Sequence, residues 1–133
     1  MPNCQNLEVA RAYLRALEQG ACGDALARFF TDDAQQIELP NRLNPHGAVS
    51  DLRKLLNRAA NVPHLIDSQR YEVISETVSG SHVILEAVWT GTLKIGFGSI
   101  SSGTTMKAHI ALFFEFVDGC IKRQRNYDCF EPW

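Results

Sequence analysis

Two stretches of strict alternation in the second half of the chain constrain its fold more than any other feature. From Val83 the odd positions are Val83, Leu85, Ala87, Trp89, Gly91 and Leu93, while the even positions include His82, Glu86, Thr90, Thr92 and Lys94. From Thr104 the even positions carry the apolar row, Thr104, Met106, Ala108, Ile110, Leu112, Phe114 and Phe116, with Lys107, His109 and Glu115 between them. Strand side chains point alternately to opposite faces, so each stretch predicts a long strand with one apolar face, and Trp89 points inward. The Gly- and Ser-rich KIGFGSISSGTT predicts a long hairpin end, and VDGC a tight turn at Asp118-Gly119 into a last strand from Cys120.

That last strand breaks the pattern. Its even row is Cys120, Lys122, Gln124, Asn126 and Asp128, and its odd row Ile121, Arg123, Arg125, Tyr127 and Cys129, so neither face is simply apolar. Polar groups beside the apolar row of a neighbouring strand suit the wall of a pocket. An edge strand solvated on one side accounts for them equally well. The segment RNYDCFEPW is too aromatic for a disordered tail, which predicts that it begins as strand through at least Tyr127, with Asn126 and Asp128 toward a cavity.

The first half has helical spacing. Leu7, Ala10, Tyr13, Leu14 and Leu17 fall on one helical face, and Gly20 supplies a stop. A short helix fits Asp24 to Phe30, broken by TDDA, where Asp32 and Asp33 cap or turn the chain. AQQIELP predicts a short strand ended by Pro40, NRLNPHG a loop, and DLRKLLNRAA a third helix with Leu52, Leu55, Leu56 and Ala59 inward. The alternating grammar sets in after Pro63.

A chain of 133 residues with 45% hydrophobic and 21% charged residues predicts one globular domain, residues 1–133, with one core. The net charge of −2 offers no electrostatic footprint for nucleic acid or an anionic membrane, and no apolar stretch has the roughly 18 residues of a spanning helix. The start MPNCQNLEVARAYL lacks the basic and apolar pattern of a leader, so a cytoplasmic protein is expected. Cys4, Cys22, Cys120 and Cys129 show no pairing spacing, predicting free thiols. The histidines, His46, His64, His82 and His109, lack ligand spacing, and neither metal nor cofactor is expected.

In order along the chain, RAYLRALEQG, ARFFTDDA, WTGTL and FFEFVDGCIKRQRNYD resemble the nuclear transport factor two-like superfamily, specifically its SnoaL-like branch. The resemblance covers nearly the whole chain. It implies an α+β fold, a cone-shaped, strongly curved antiparallel sheet wrapped on three N-terminal helices, with an internal pocket, and commonly a homodimer. The superfold hosts isomerases, cyclases, epoxide hydrolases and non-catalytic binding domains, so the family's catalysts are compared position by position.

The limonene epoxide hydrolase branch carries an Asp where this chain has Asn126, before a Tyr that matches Tyr127, and an Arg and an Asp where this chain has Ala87 and Trp89. An epoxide opening needs a base and an acid, and all three are replaced. The polyketide cyclases place a working Asp near Asn126, and Asp128 lies two residues on, where a shifted register or a bulge would let it serve. In the ketosteroid isomerase branch the oxyanion Tyr matches Tyr13 and the base matches Glu38, one inserted residue being allowed, while Leu112 stands where the second oxyanion acid would be.

Each residue also has a structural reading. Tyr13 suits a packed core aromatic, Glu38 a solvated strand end, Trp89 core as well as pocket wall, and His109 the outer face. The resemblance therefore implies a pocket for a small hydrophobic organic ligand, with Glu38, Tyr13 and Asp128 as catalytic candidates and Trp89, Ile110, Leu112, Phe114 and Asn126 as ligand contacts. A proton transfer beside a carbonyl is one function; a non-catalytic ligand-binding or accessory homodimer is the other. The odd row Lys107, His109, Ala111, Phe113 and Glu115 predicts a dimer through the outer sheet faces.

Overall fold

The computed structural model describes the backbone from residue 4 and side chains from residue 5 through residue 133, so the expected free thiol of Cys4 lies outside the described residues. Helix α1 runs Cys4–Glu18, a four-residue helix α2 Asp24–Ala27, strand β1 Phe30–Glu38, strand β2 Ala48–Asp51 and helix α3 Leu52–Leu65. Strands β3 (Ile66–Ser79), β4 (His82–Leu93), β5 (Thr105–Val117) and β6 (Cys120–Phe130) follow. They form one curved, unclosed six-stranded sheet in the order β2-β1-β6-β5-β4-β3, antiparallel except for β1 beside β6. This is the α+β cone that the sequence predicts, with the helices on its concave side.

The two alternating stretches fold as their pattern requires. Val83, Leu85 and Ala87 of β4 and Met106, Ala108, Ile110, Leu112, Phe114 and Phe116 of β5 are buried, and β4 pairs with β5 from His82↔Glu115 to Thr92↔Thr105. Asp118 (φ 51°) and Gly119 (φ 80°) both take the left-handed conformation that a two-residue hairpin turn demands.

Several expectations are corrected. Helix α2 ends at Ala27, and Phe30 already begins β1, so TDDA is strand and not a break. Tertiary packing decides this: the Phe29 carbonyl accepts from Ile121 N at 2.8 Å, and both Phe rings stand edge-on to Tyr13, at 5.7 and 5.3 Å. β2 goes unforeseen. α3 runs past Pro63 to Leu65, because a proline in the last turn removes only one helical bond and Lys94 N takes the Leu65 carbonyl at 2.8 Å.

The largest correction concerns β6. It lies between β1 and β5 and is no edge strand. Glu115 pairs with Arg123 but Phe116 with Ile121, so Lys122 is an extra residue, a bulge that exchanges the two faces. Ile121 is therefore fully buried, Cys120 and Lys122 leave the inner row, and Gln124, Asn126, Asp128 and Phe130 remain on it. Opposite the bulge the register of β1 also slips, between Phe30 and Gln35, and Lys122 Nζ reaches Asp33 Oδ2 at 2.7 Å.

Candidate functional site: a cavity between the helices and the sheet

The inward rows of two long helices and five strands meet in one cavity of about 360 Å³. α1 contributes Tyr13, Leu14 and Leu17, three and four residues apart; α3 contributes Leu55, Arg58, Ala59 and Val62 by the same spacing. β1 supplies Gln36 and Glu38, and β6 supplies Gln124, Asn126, Asp128 and Phe130. Trp89, Ala108, Ile110 and Leu112 close the sheet side, with Gln69 and Tyr71 of β3 beside them. Its volume falls in the range of small-molecule sites, and apolar side chains dominate the wall.

Seven of the eight residues expected at a site line this cavity: Tyr13, Glu38, Trp89, Ile110, Leu112, Asn126 and Asp128. Phe114 does not. It lies behind Tyr13, ring edge-on at 5.9 Å, and belongs to the core. His109 is on the outer face, as alternation predicts, with Nε2 2.9 Å from Glu131 Oε2.

The polar groups differ in how they are held. Burial pushes the Tyr13 hydroxyl up to about 12, against the opposing pull of Gln124 and Gln36, whose Nε2 donates to it at 3.5 Å. Tyr71 is raised further, by burial first and then by the neighbouring Tyr13, Asp128 and Glu18. Burial, with the Glu38 charge beside it, raises the Asp128 carboxyl from 3.8 to about 6. Glu38 itself is engaged: Asn41 Nδ2 donates to Oε2 at 2.7 Å and Arg58 stands 3.7 Å from Oε1. Arg58 also donates to Gln36 Oε1 and Ser50 Oγ, each at 2.9 Å.

Trp89 is fixed as a wall. Its Nε1 donates to Gln69 Oε1 at 2.9 Å, Phe130 stands edge-on at 6.1 Å, and a Cβ at position 91 would overlap the indole, so glycine is required there. Among the described residues no three His, Cys, Asp or Glu side chains gather as metal ligands would, and no helix is long and apolar enough to cross a membrane.

Sequence reasoning overlooks Arg58, Gln36, Tyr71 and the free carbonyl of Gln124. Arg58 is three residues after Leu55 and Gln36 two before Glu38, so helical and strand spacing both carried the signal. Tyr71 could not be assigned to a face while β3 itself was undelimited.

A curved sheet around a mostly apolar cavity lined by two carboxyls and two phenols defines a fold of the α+β cone class. The chain belongs to the SnoaL-like domain family, whose model matches residues 10–124. Among solved structures it is similar to AclR, a proposed hydroxylase from Streptomyces galilaeus, with a TM-score of 0.78, 13% identity and coverage of 97% of this chain and 81% of that one. IdmH, a proposed polyketide cyclase from Streptomyces antibioticus, gives 0.76 at 18% identity, covering 93% and 91%. A protein of ketosteroid isomerase-like fold from Catenulispora acidiphila gives 0.70 at 20%, covering 90% and 84%. Likeness at these identities establishes the fold alone. No curated protein matches the chain.

Proposed function

We propose that the cavity binds a small, largely apolar organic molecule carrying a carbonyl, and that Asp128 takes a proton from the carbon beside that carbonyl. The observation that carries this reading is a carboxyl raised to about 6 by burial, on the wall of a 360 Å³ apolar cavity. A base with affinity near the working pH suits proton abstraction, and a buried phenol such as Tyr13 suits the oxygen on which negative charge develops. Glu38 is the other candidate base. Its oxygens already face Asn41 and Arg58, so taking a proton there breaks existing contacts, and its part is to set the charge beside Asp128. Leu112, 3% exposed, offers no second donor where the isomerase resemblance implies one.

Exchange of the α-protons of 2-tetralone for deuterium, followed by NMR, tests this without knowledge of the natural substrate. The protein should accelerate exchange over buffer, more strongly as pH rises through about 6 and Asp128 ionises. Asp128→Asn should lower the rate by roughly a hundredfold or more, the usual general-base contribution, and Glu38→Gln by much less. The reverse order transfers the base role to Glu38. Tight binding of the ketone with no acceleration supports the non-catalytic ligand-binding alternative.

The reading includes a twofold homodimer through the outer sheet face. Ile74 and Tyr127 are 55% and 45% exposed there, around a shallow groove shared with Val88 and Ala111. The free thiols of Cys22, Cys120 and Cys129 suit a reducing compartment such as the cytoplasm.

A further inference from the structure

The carboxamides around the cavity form a nearly complete set of hydrogen bonds. Gln36 uses both ends, accepting from Arg58 and donating to Tyr13. Gln69 does the same, accepting from Trp89 Nε1 and donating to the Leu17 carbonyl at 3.0 Å. Gln124 is the exception. Its Nε2 donates to Asn126 Oδ1 at 2.8 Å and its amide also bears on the Tyr13 hydroxyl, while Oε1, in a residue only 1% exposed, has no partner among the described residues. Buried polar atoms are almost always paired, because an unpaired one keeps its full desolvation cost. Gln124 is also at the cavity wall, between Tyr13 of α1 and Asn126 of its own strand. A buried wall group left unpaired while Gln36 and Gln69 use both their ends is placed to be completed by what enters.

Building on the reading of the cavity as an organic-ligand site, we propose that Gln124 determines specificity: its Oε1 accepts a hydrogen bond from the ligand, so the cavity selects molecules that bring a hydroxyl or N–H donor to the Tyr13 end. The Tyr13 hydroxyl, which accepts from Gln36 Nε2 and stands within hydrogen-bonding reach of the Gln124 amide, marks that end of the cavity. A site built around a buried acceptor rejects an isostere without the donor more strongly than an apolar wall does, because rejection includes the acceptor left bare.

Two probes of similar shape decide the matter: 2-naphthol, which donates, and 2-methoxynaphthalene, which only accepts. Calorimetry at pH 7 should give the parent a preference for 2-naphthol of roughly tenfold, the net value of one neutral hydrogen bond. Gln124→Leu should remove most of that preference while both probes still bind; Gln124→Met, unbranched and of similar length, replaces it if the leucine variant unfolds. In the parent, the Gln124 side-chain amide signal should shift with 2-naphthol and stay in place with the ether, a readout that needs no variant. Equal affinities in the parent overturn the inference and leave the organic-ligand reading intact, as does a preference that survives in the variant. Preference for the ether also overturns it, placing the amide nitrogen at the ligand. If neither probe binds, the ligand-site reading fails and the inference with it.

Discussion

Between about pH 4 and 6 the folded chain holds a proton on Asp128 that the unfolded chain has released, because burial and the Glu38 charge raise that carboxyl from 3.8 to about 6. The folded state binds more protons in this window, so its contribution to stability falls as pH rises through it and stays low above it. Asp128→Asn keeps the shape without the ionisation. The stability of the parent relative to this variant, from urea unfolding, should decline by roughly 1–2 kcal/mol from pH 4 to 7, after allowance for partial solvent contact. A constant difference would show that the carboxyl is not strained by its site. Asp33, held low by Lys122, and Glu76, held low by Arg11, act in the opposite sense, and comparison with the variant cancels both. The proposed base is thus a group that the fold tolerates at a cost.

At the level of elements, β6 holds the sheet together and carries the polar wall. Removal of residues 126–133 takes from it the pairing of Asn126 with both Glu38 and Leu112, and that of Asp128 with Ile110. Such a truncation should abolish cooperative folding, seen as loss of the thermal transition by circular dichroism. Unchanged stability would return the segment to the status of a tail. The sequence carried β4 and β5 in full because burial on one face imposes a period of two. Strand alternation also put Trp89, Asn126 and Asp128 on the row that lines the cavity, and helical spacing put Tyr13 there. The sequence could not carry the Lys122 bulge, since an extra residue leaves no mark in the alternation until pairing with Glu115 and Phe116 is known. Nor could it foretell that Phe30 starts a strand, which depends on Ile121, ninety-one positions away. Phe114 alternates with its neighbours like a lining residue, and only the position of Tyr13 in front of it makes it core.

For the molecule as a whole, the outer sheet face carries the proposed association. Phe113 is capped by Tyr127 at 5.4 Å and by the Arg125 guanidinium at 5.2 Å, so the apolar surface on offer is that of Tyr127, Ile74 and their neighbours. Light scattering at micromolar concentration should give twice the chain mass, and Tyr127→Glu should yield a folded monomer. A monomeric parent would refute the assignment. The strand order β2-β1-β6-β5-β4-β3 also bears on how the protein is made. The ribosome delivers β1 and β2 first and β3 to β5 next, and neither group can pair with the other until β6 arrives between them. A nascent chain paused before residue 120 therefore exposes two strand edges that β6 later covers, and synthesis itself becomes the interval in which those edges are open to mispairing.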